Sequence, residues 1–196
     1  MVSSIINKVT GKRKFLYRHV QYLNQNLRKN LCSALLQCHI DYCCTSWYSG
    51  LNKHYQRKLQ IVQNKMARFI LNMSPRDHIG QVHLDSIKLL KIHDRVKQLR
   101  LNHMFNVFNA MGPTYFDQFF TKTTVTHTHR TRSSSHNFHV PRVSGLASNS
   151  FFYQGTLDWN SLPIHIRSIT NKNSFKSHVK THLSTTSMNQ EIAEYV

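Results

Sequence analysis

Large apolar residues recur at three- and four-residue spacing through the first half of the chain, most densely between Leu31 and Leu71. Leu31, Leu35, Cys38 and Tyr42 share one helix face, as do Leu59, Val62, Met66 and Phe69 further on. Between these series, Trp47-Tyr48-Ser49-Gly50-Leu51-Asn52 carries residues that end one helix and begin another. The pattern predicts a helix, a tight aromatic-anchored turn and an antiparallel partner helix over about Leu51 to Asn72. Upstream, Ile5, Ile6, Val9, Phe15, Leu16, Val20 and Leu23 predict a first helix, broken near Gly11 where Lys12-Arg13-Lys14 interrupts the apolar series.

Downstream, Pro75 stops the partner helix because it lacks an amide donor and disfavours helical geometry before it. About ten residues on, Asp85 has the character of an N-cap for a long helix containing Ile87, Leu90, Leu101, Phe105 and Phe108 and stopped by Gly112-Pro113. From Pro113 to Ser150, Thr, Ser, His, Asn and Arg dominate, which reads as a linker or extended basic arm with Phe138 and Val140 in a short strand at most. Beyond it, Trp159 reads as an aromatic anchor, and Ser161 and Asn173-Ser174 as helix starts. Phe175, Val179 and Leu183 line the last helix, and the polar tail from Thr185 is expected to fray.

The expected architecture is mainly α: a helical bundle over 1–112, a basic linker over 113–150, a small C-terminal helical segment over 151–185 and a frayed tail over 186–196. Leu35, Tyr42, Val62, Met66, Phe69, Leu90, Leu101 and Phe105 are the expected core.

Charge changes this picture more than length does. The 196 residues hold 26 Lys plus Arg against 8 Asp plus Glu, a formal net charge of +18, and 40% hydrophobic residues suffice for a core. Such an excess points to a polyanion, nucleic acid before anionic membrane; the alternative is that it serves solubility alone. No apolar run approaches the roughly 20 residues of a spanning helix, and Met1 to Thr10 lacks a signal-peptide pattern, so an intracellular setting, nucleus or cytoplasm, is expected. Lys12-Arg13-Lys14 fits a short nuclear-localisation signal, a solvated helix start or a phosphate contact.

Cys32, Cys38, Cys43 and Cys44 crowd into one predicted helix, unlike a secreted disulfide framework, so reduced thiols are expected. His39 and Cys43 have the spacing of a zinc half-site, but paired Cys-X-X-Cys spacing is absent. The simpler reading makes Cys32, Cys38 and Cys43 small core residues and assigns no metal. His127, His129, His136 and His139 share no ligand spacing either; beside Arg130, Arg132 and Arg142 they read as part of a nucleic-acid arm.

Three blocks carry a family resemblance: His39-Ile40-Asp41-Tyr42-Cys43 followed by Trp47; Arg130-Thr131-Arg132; and Asp158-Trp159-Asn160-Ser161-Leu162-Pro163 followed by Asn173-Ser174-Phe175-Lys176. In order and approximate spacing, over about residues 5 to 184, the chain resembles the C-terminal region of reverse transcriptases of non-LTR (LINE-type, jockey-like) retrotransposons. The resemblance implies a thumb-like bundle that follows the polymerase palm, with RNA or DNA as partner and the palm as a further candidate partner. The family's catalytic Tyr-X-Asp-Asp type motif lies upstream of these blocks and has no counterpart here. Polymerase chemistry needs closely placed carboxylates holding two metal ions, whereas this sequence has no Asp-Asp pair and no Glu before Glu191. Phosphate-loop and nucleophile-elbow motifs are also missing, so no enzymatic activity, cofactor or small-molecule substrate is expected.

Two readings follow. In the first, the chain is a non-catalytic nucleic-acid-binding module that contacts phosphates through Arg57, Lys58, Lys65, Arg68, Lys91, Arg95, Arg130, Arg132 and Arg142. In the second, it is a protein-interaction or scaffold remnant whose apolar surface meets a palm.

Overall fold

The computed structural model describes residues 1–123 and 136–194, the side chains at 190, 192 and 194 excepted. The chain is mainly helical: α1 Val2–Tyr17, α2 Gln25–Cys32, α3 Cys38–Asp41, α4 Cys44–Trp47, α5 Lys53–Leu71, α6 Gln81–Ser86, α7 Ile92–Phe108, α8 Phe151–Ser161, α9 Ile164–Arg167 and α10 Lys172–Glu194. Among the described residues the one β pairing is an antiparallel bridge between Lys122 and Phe138, in keeping with the expected short β pair. The helices gather into two compact units that interleave along the chain: Met1–Cys44, Leu51–Arg95 and the chain from Ser184 form one, Thr45–Gly50 with Val96–Leu183 the other.

In the first unit α1, α2 and α5 pack side by side around Val9, Leu16, Cys32, Leu36, Ile40, Leu59, Met66, Phe69 and Ile70, all buried. The Tyr17 ring meets Phe69 at 4.9 Å. Arg28, in the first turn of α2, donates to the Phe69 carbonyl and to Asn72 Oδ1, each at 3.0 Å, which ties the start of α2 to the end of α5. The α1 helix is continuous rather than broken: Gly11 lies inside it, exposed, and the helical bonding of its neighbours carries the chain through.

The stretch after α2 corrects the expected face. Ser33–Gln37 forms a wide i→i+5 turn between α2 and α3. The buried series is Cys32, Leu36, Ile40 and Cys44, four residues apart throughout, one place beyond the expected Leu31 and Leu35 and two places beyond the expected Cys38 and Tyr42. Leu35 is 38% and Tyr42 76% exposed. Cys38 and Cys43 are exposed too, and the buried thiols are Cys32 and Cys44. Burial pushes the Cys32 thiol up to about 12, against the smaller opposing effect of Arg13 and Arg28.

Asp85 is not the N-cap of the long helix. It sits inside α6, where its Oδ1 accepts from Gln81 Nε2 at 3.0 Å, and α7 begins only at Ile92. The first amide of α7 is satisfied from α5 instead: Ile92 N–H donates to Gln60 Oε1 at 2.9 Å, while Gln63 Nε2 donates to the Leu90 carbonyl. The tail expected to fray from Thr185 is helical as far as it is described, since α10 continues to Glu194. Polar contacts hold it. Ser184 donates to Asp85 Oδ1, Ser187 to Asp94 Oδ2 at 2.6 Å, and Glu191 Oε2 accepts from the Gln81 amide at 3.0 Å.

The second unit is built on aromatic packing. Trp159, fully buried, stacks on Phe108 at 5.1 Å and meets Phe175 at 5.7 Å and Phe138 at 6.0 Å. It is the anchor that the sequence predicted. Asn160 clamps Phe138 by both backbone groups, accepting from its N–H at 3.0 Å and donating to its carbonyl at 2.8 Å. Phe120 and Phe138, expected in a linker, are therefore core residues. Two helix starts shift as well. Ser161 closes α8 rather than opening a helix, and Asn171 Oδ1 accepts from Asn173 N–H and Ser174 N–H at the start of α10. Gly155 permits a close approach, since a Cβ there would lie 2.8 Å from Met104 Sδ.

Candidate nucleic-acid interface

Helix α5 carries the strongest candidate surface. Asn52 starts it, its Oδ1 accepting from Tyr55 N–H at 3.0 Å, and Asn72, left-handed with φ 58°, ends it. Leu59, Val62, Met66, Phe69 and Ile70 turn inward. With that stripe committed to the core, helical spacing places Arg57 and Arg68 on the opposite side, and Lys58 and Lys65 together on the flank next to them. Arg57, Lys58 and Lys65 are exposed and Arg68 half-buried. At 1.5 Å per residue the face from Arg57 to Arg68 is about 16 Å long, comparable to about five phosphates of one strand at 3.4 Å each.

Two of these cations are oriented by neighbours. Arg68 Nε donates to the Asp77 carbonyl at 2.7 Å, which leaves the outer guanidinium nitrogens to other partners. The Lys58 ammonium lies 5.7 Å from the centre of the Tyr55 ring. His54, exposed one turn before Arg57, belongs to the same face. Sequence reasoning passed over it, although its three-residue spacing from Arg57 was the available signal.

The basic residues expected on the long helix have a different fate. Arg95 binds Asp41 Oδ2 through Nη2 at 2.7 Å and Nε at 3.2 Å. Lys91 lies 3.8 Å from Glu191 Oε2. In the second unit, Arg100 and Lys97 approach the two oxygens of Asp158 at 3.0 and 3.7 Å, and Arg100 also donates to Ser49 Oγ at 3.1 Å. Sequence-distant carboxylates thus lie against Lys91 and Arg95, both expected to contact phosphates, and against Lys97 and Arg100. Of the arm residues, Arg142 is exposed in the second unit, and Arg130 and Arg132 lie outside the described residues.

Among the described residues, no carboxylate comes within 4.0 Å of Arg57, Lys58, Lys65 or Arg68. No three His, Cys, Asp or Glu side chains gather as a metal-binding group among them either. The His39 ring, weighed as half of a zinc site, meets Lys12 Nζ at 2.8 Å through Nε2. Its pKa is held down by desolvation and by the Lys12 and Lys8 charges. No helix among the described residues is long and apolar enough to cross a membrane. Comparison with family models, with curated proteins and with solved structures finds no match for this chain.

Proposed function

We propose that this chain is a non-catalytic nucleic-acid-binding module that holds the phosphates of RNA or DNA on the exposed face of α5, as its resemblance to the post-palm region of non-LTR retrotransposon reverse transcriptases implies. The observation that carries this reading is the sorting of charge. Asp41, Asp158 and Glu191 lie against cations elsewhere, while Arg57, Lys58, Lys65 and Arg68 have no carboxylate within 4.0 Å among the described residues. An exposed row of cations attracts a polyanion without reading its sequence. Arg142 is a further exposed cation, in the second unit, and Arg130 and Arg132 are the arm residues the sequence proposes. Lys91 and Arg95 are assigned to the internal pairs that support the fold, with a secondary part in binding.

A second reading has its own support in exposed apolar residues. Tyr22, Leu27, Leu35 and Tyr42 present apolar surface on the first unit, 38% to 76% exposed, of the kind that a palm or another protein covers. Salt separates the readings. If four α5 cations each neutralise one phosphate, log affinity falls with log salt at a slope of about −3.6 on duplex DNA and about −2.8 on a single strand. Fluorescence anisotropy between about 50 and 200 mM salt measures it. Affinity independent of salt, or no binding at the low-salt end, would favour the protein-interaction reading.

A further inference from the structure

The second unit contains a cleft of about 450 Å³ that the phosphate contacts do not use. It is lined by Phe116, Phe151 and Phe152, by His103, and by Thr45, Ser46 and Ser150. The volume falls within the usual range of small-ligand pockets, and an apolar lining with a few polar groups is their usual chemistry. The three phenylalanine rings stand at angles to one another, Phe116 to Phe151 at 49° and Phe116 to Phe152 at 63°, with centroids 6.3 and 6.5 Å apart. His103 meets Phe151 edge-on at 6.1 Å. Phe119, at 4.5 Å, and Phe120, at 5.5 Å, hold Phe152 from outside the cleft.

We propose that this cleft receives one unstacked base of a single-stranded nucleic acid, a proposal that rests on the nucleic-acid reading above and adds to it a site for bases. A base has the attributes this lining selects: a flat π face for the phenylalanine rings and an edge of donors and acceptors for the hydroxyls and imidazole. Ser46 can donate and accept, Ser150 Oγ accepts from Tyr153 N–H at 3.3 Å and keeps its own proton to donate, and a neutral imidazole does one at each nitrogen. The neutral form of His103 is favoured, since burial and then the Lys172 charge lower its pKa. That same nearby cation favours the sugar–phosphate that accompanies a base. Because every base has a π face, the site tolerates any sequence, and it distinguishes single strands from duplexes whose bases remain stacked.

The test compares two ten-residue single strands of equal charge, one of deoxyadenosine and one entirely abasic, binding to the full chain at about 100 mM salt. Base stacking makes the base-bearing strand about tenfold tighter. Ser46→Trp, which fills the cleft from an exposed position, and Phe151→Ala, which removes a wall, should each shrink that ratio to less than about twofold with the salt slope unchanged. Circular dichroism checks the fold, and Ser46→Trp keeps the test decisive if Phe151→Ala fails to fold. Equal, salt-sensitive binding of the two strands overturns the cleft and leaves the phosphate reading standing. A ratio that survives Ser46→Trp places base recognition elsewhere and also overturns it. If neither strand binds at about 50 mM salt, the phosphate reading fails and the base site falls with it.

Discussion

Replacing Asp158 by Asn removes the carboxylate that faces two cations of the second unit. The Arg100 side chain is 5% exposed, with Nε 3.0 Å from Asp158 Oδ2, and Lys97 Nζ is 3.7 Å from Oδ1. Removing one partner of a buried ion pair leaves the other charge desolvated and uncompensated, which costs about 3–5 kcal/mol. The Lys97 contact adds little, because its side chain is 25% exposed and solvent screens it. A loss of that size is a large part of the 5–15 kcal/mol typical of a whole domain. Both tryptophans, Trp47 and Trp159, belong to the second unit, so tryptophan fluorescence during urea unfolding reports that unit by itself. The expected result is a lower midpoint with an unchanged slope. Combining Asp158→Asn with Arg100→Met should recover part of the loss, because the double variant no longer buries a lone charge. A cost below about 1 kcal/mol, or strict additivity in the cycle, would refute the claim that Asp158 neutralises Arg100.

The two glycines inside helices should respond oppositely to alanine. Gly11, exposed and with nothing within 4 Å of an added Cβ, gains about 0.5–1 kcal/mol in thermal unfolding, whereas Gly155→Ala, 2.8 Å from Met104 Sδ, loses about 1 kcal/mol. Native-state alkylation should modify Cys38 and Cys43 quickly and leave Cys32 and Cys44 untouched until the chain unfolds. Burial lowers the pKa of His103, helped by Lys172, and of His182, helped by Lys97 and His165. The unfolded chain then binds more protons just below its ordinary histidine pKa, so stability is full above about pH 6.5 and declines as pH falls toward the folded values. Replacing both histidines by Gln should flatten the melting temperature between about pH 7.5 and 5.5.

What could be read from sequence was what short-range spacing decides. The α5 stripe of Val62, Met66 and Phe69 appears where the three-and-four rule places it. The stripe through Leu31 and Leu35 failed because a rival series, Cys32, Leu36, Ile40 and Cys44, lay one residue away. Steps of four suit a helix that widens at Ser33–Gln37, and nothing in the apolar pattern announced that turn. The tail of α10 and the arm around Phe138 were misjudged for a related reason. Their order comes from Ser187 to Asp94 and from Asn160 to Phe138, polar contacts between residues far apart in sequence. For the candidate interface, composition revealed the excess of cations but not which of them distant acids occupy. Arg95 and Arg68 look alike in sequence, yet Asp41 takes the first while the second, among the described residues, bonds a backbone carbonyl and no carboxylate.

If phosphates are held on the α5 face rather than by net charge at large, two variants with equal charge loss differ in the salt dependence of binding. One carries Arg57→Gln, Lys58→Gln and Lys65→Gln; the other carries Lys8→Gln, Arg76→Gln and Lys176→Gln, at exposed cations elsewhere. On duplex DNA the first should lose about 2.7 from the magnitude of its log–log salt slope, at about 0.9 per phosphate contact, while the second stays near the wild-type value. Equal losses in the two variants would contradict the account.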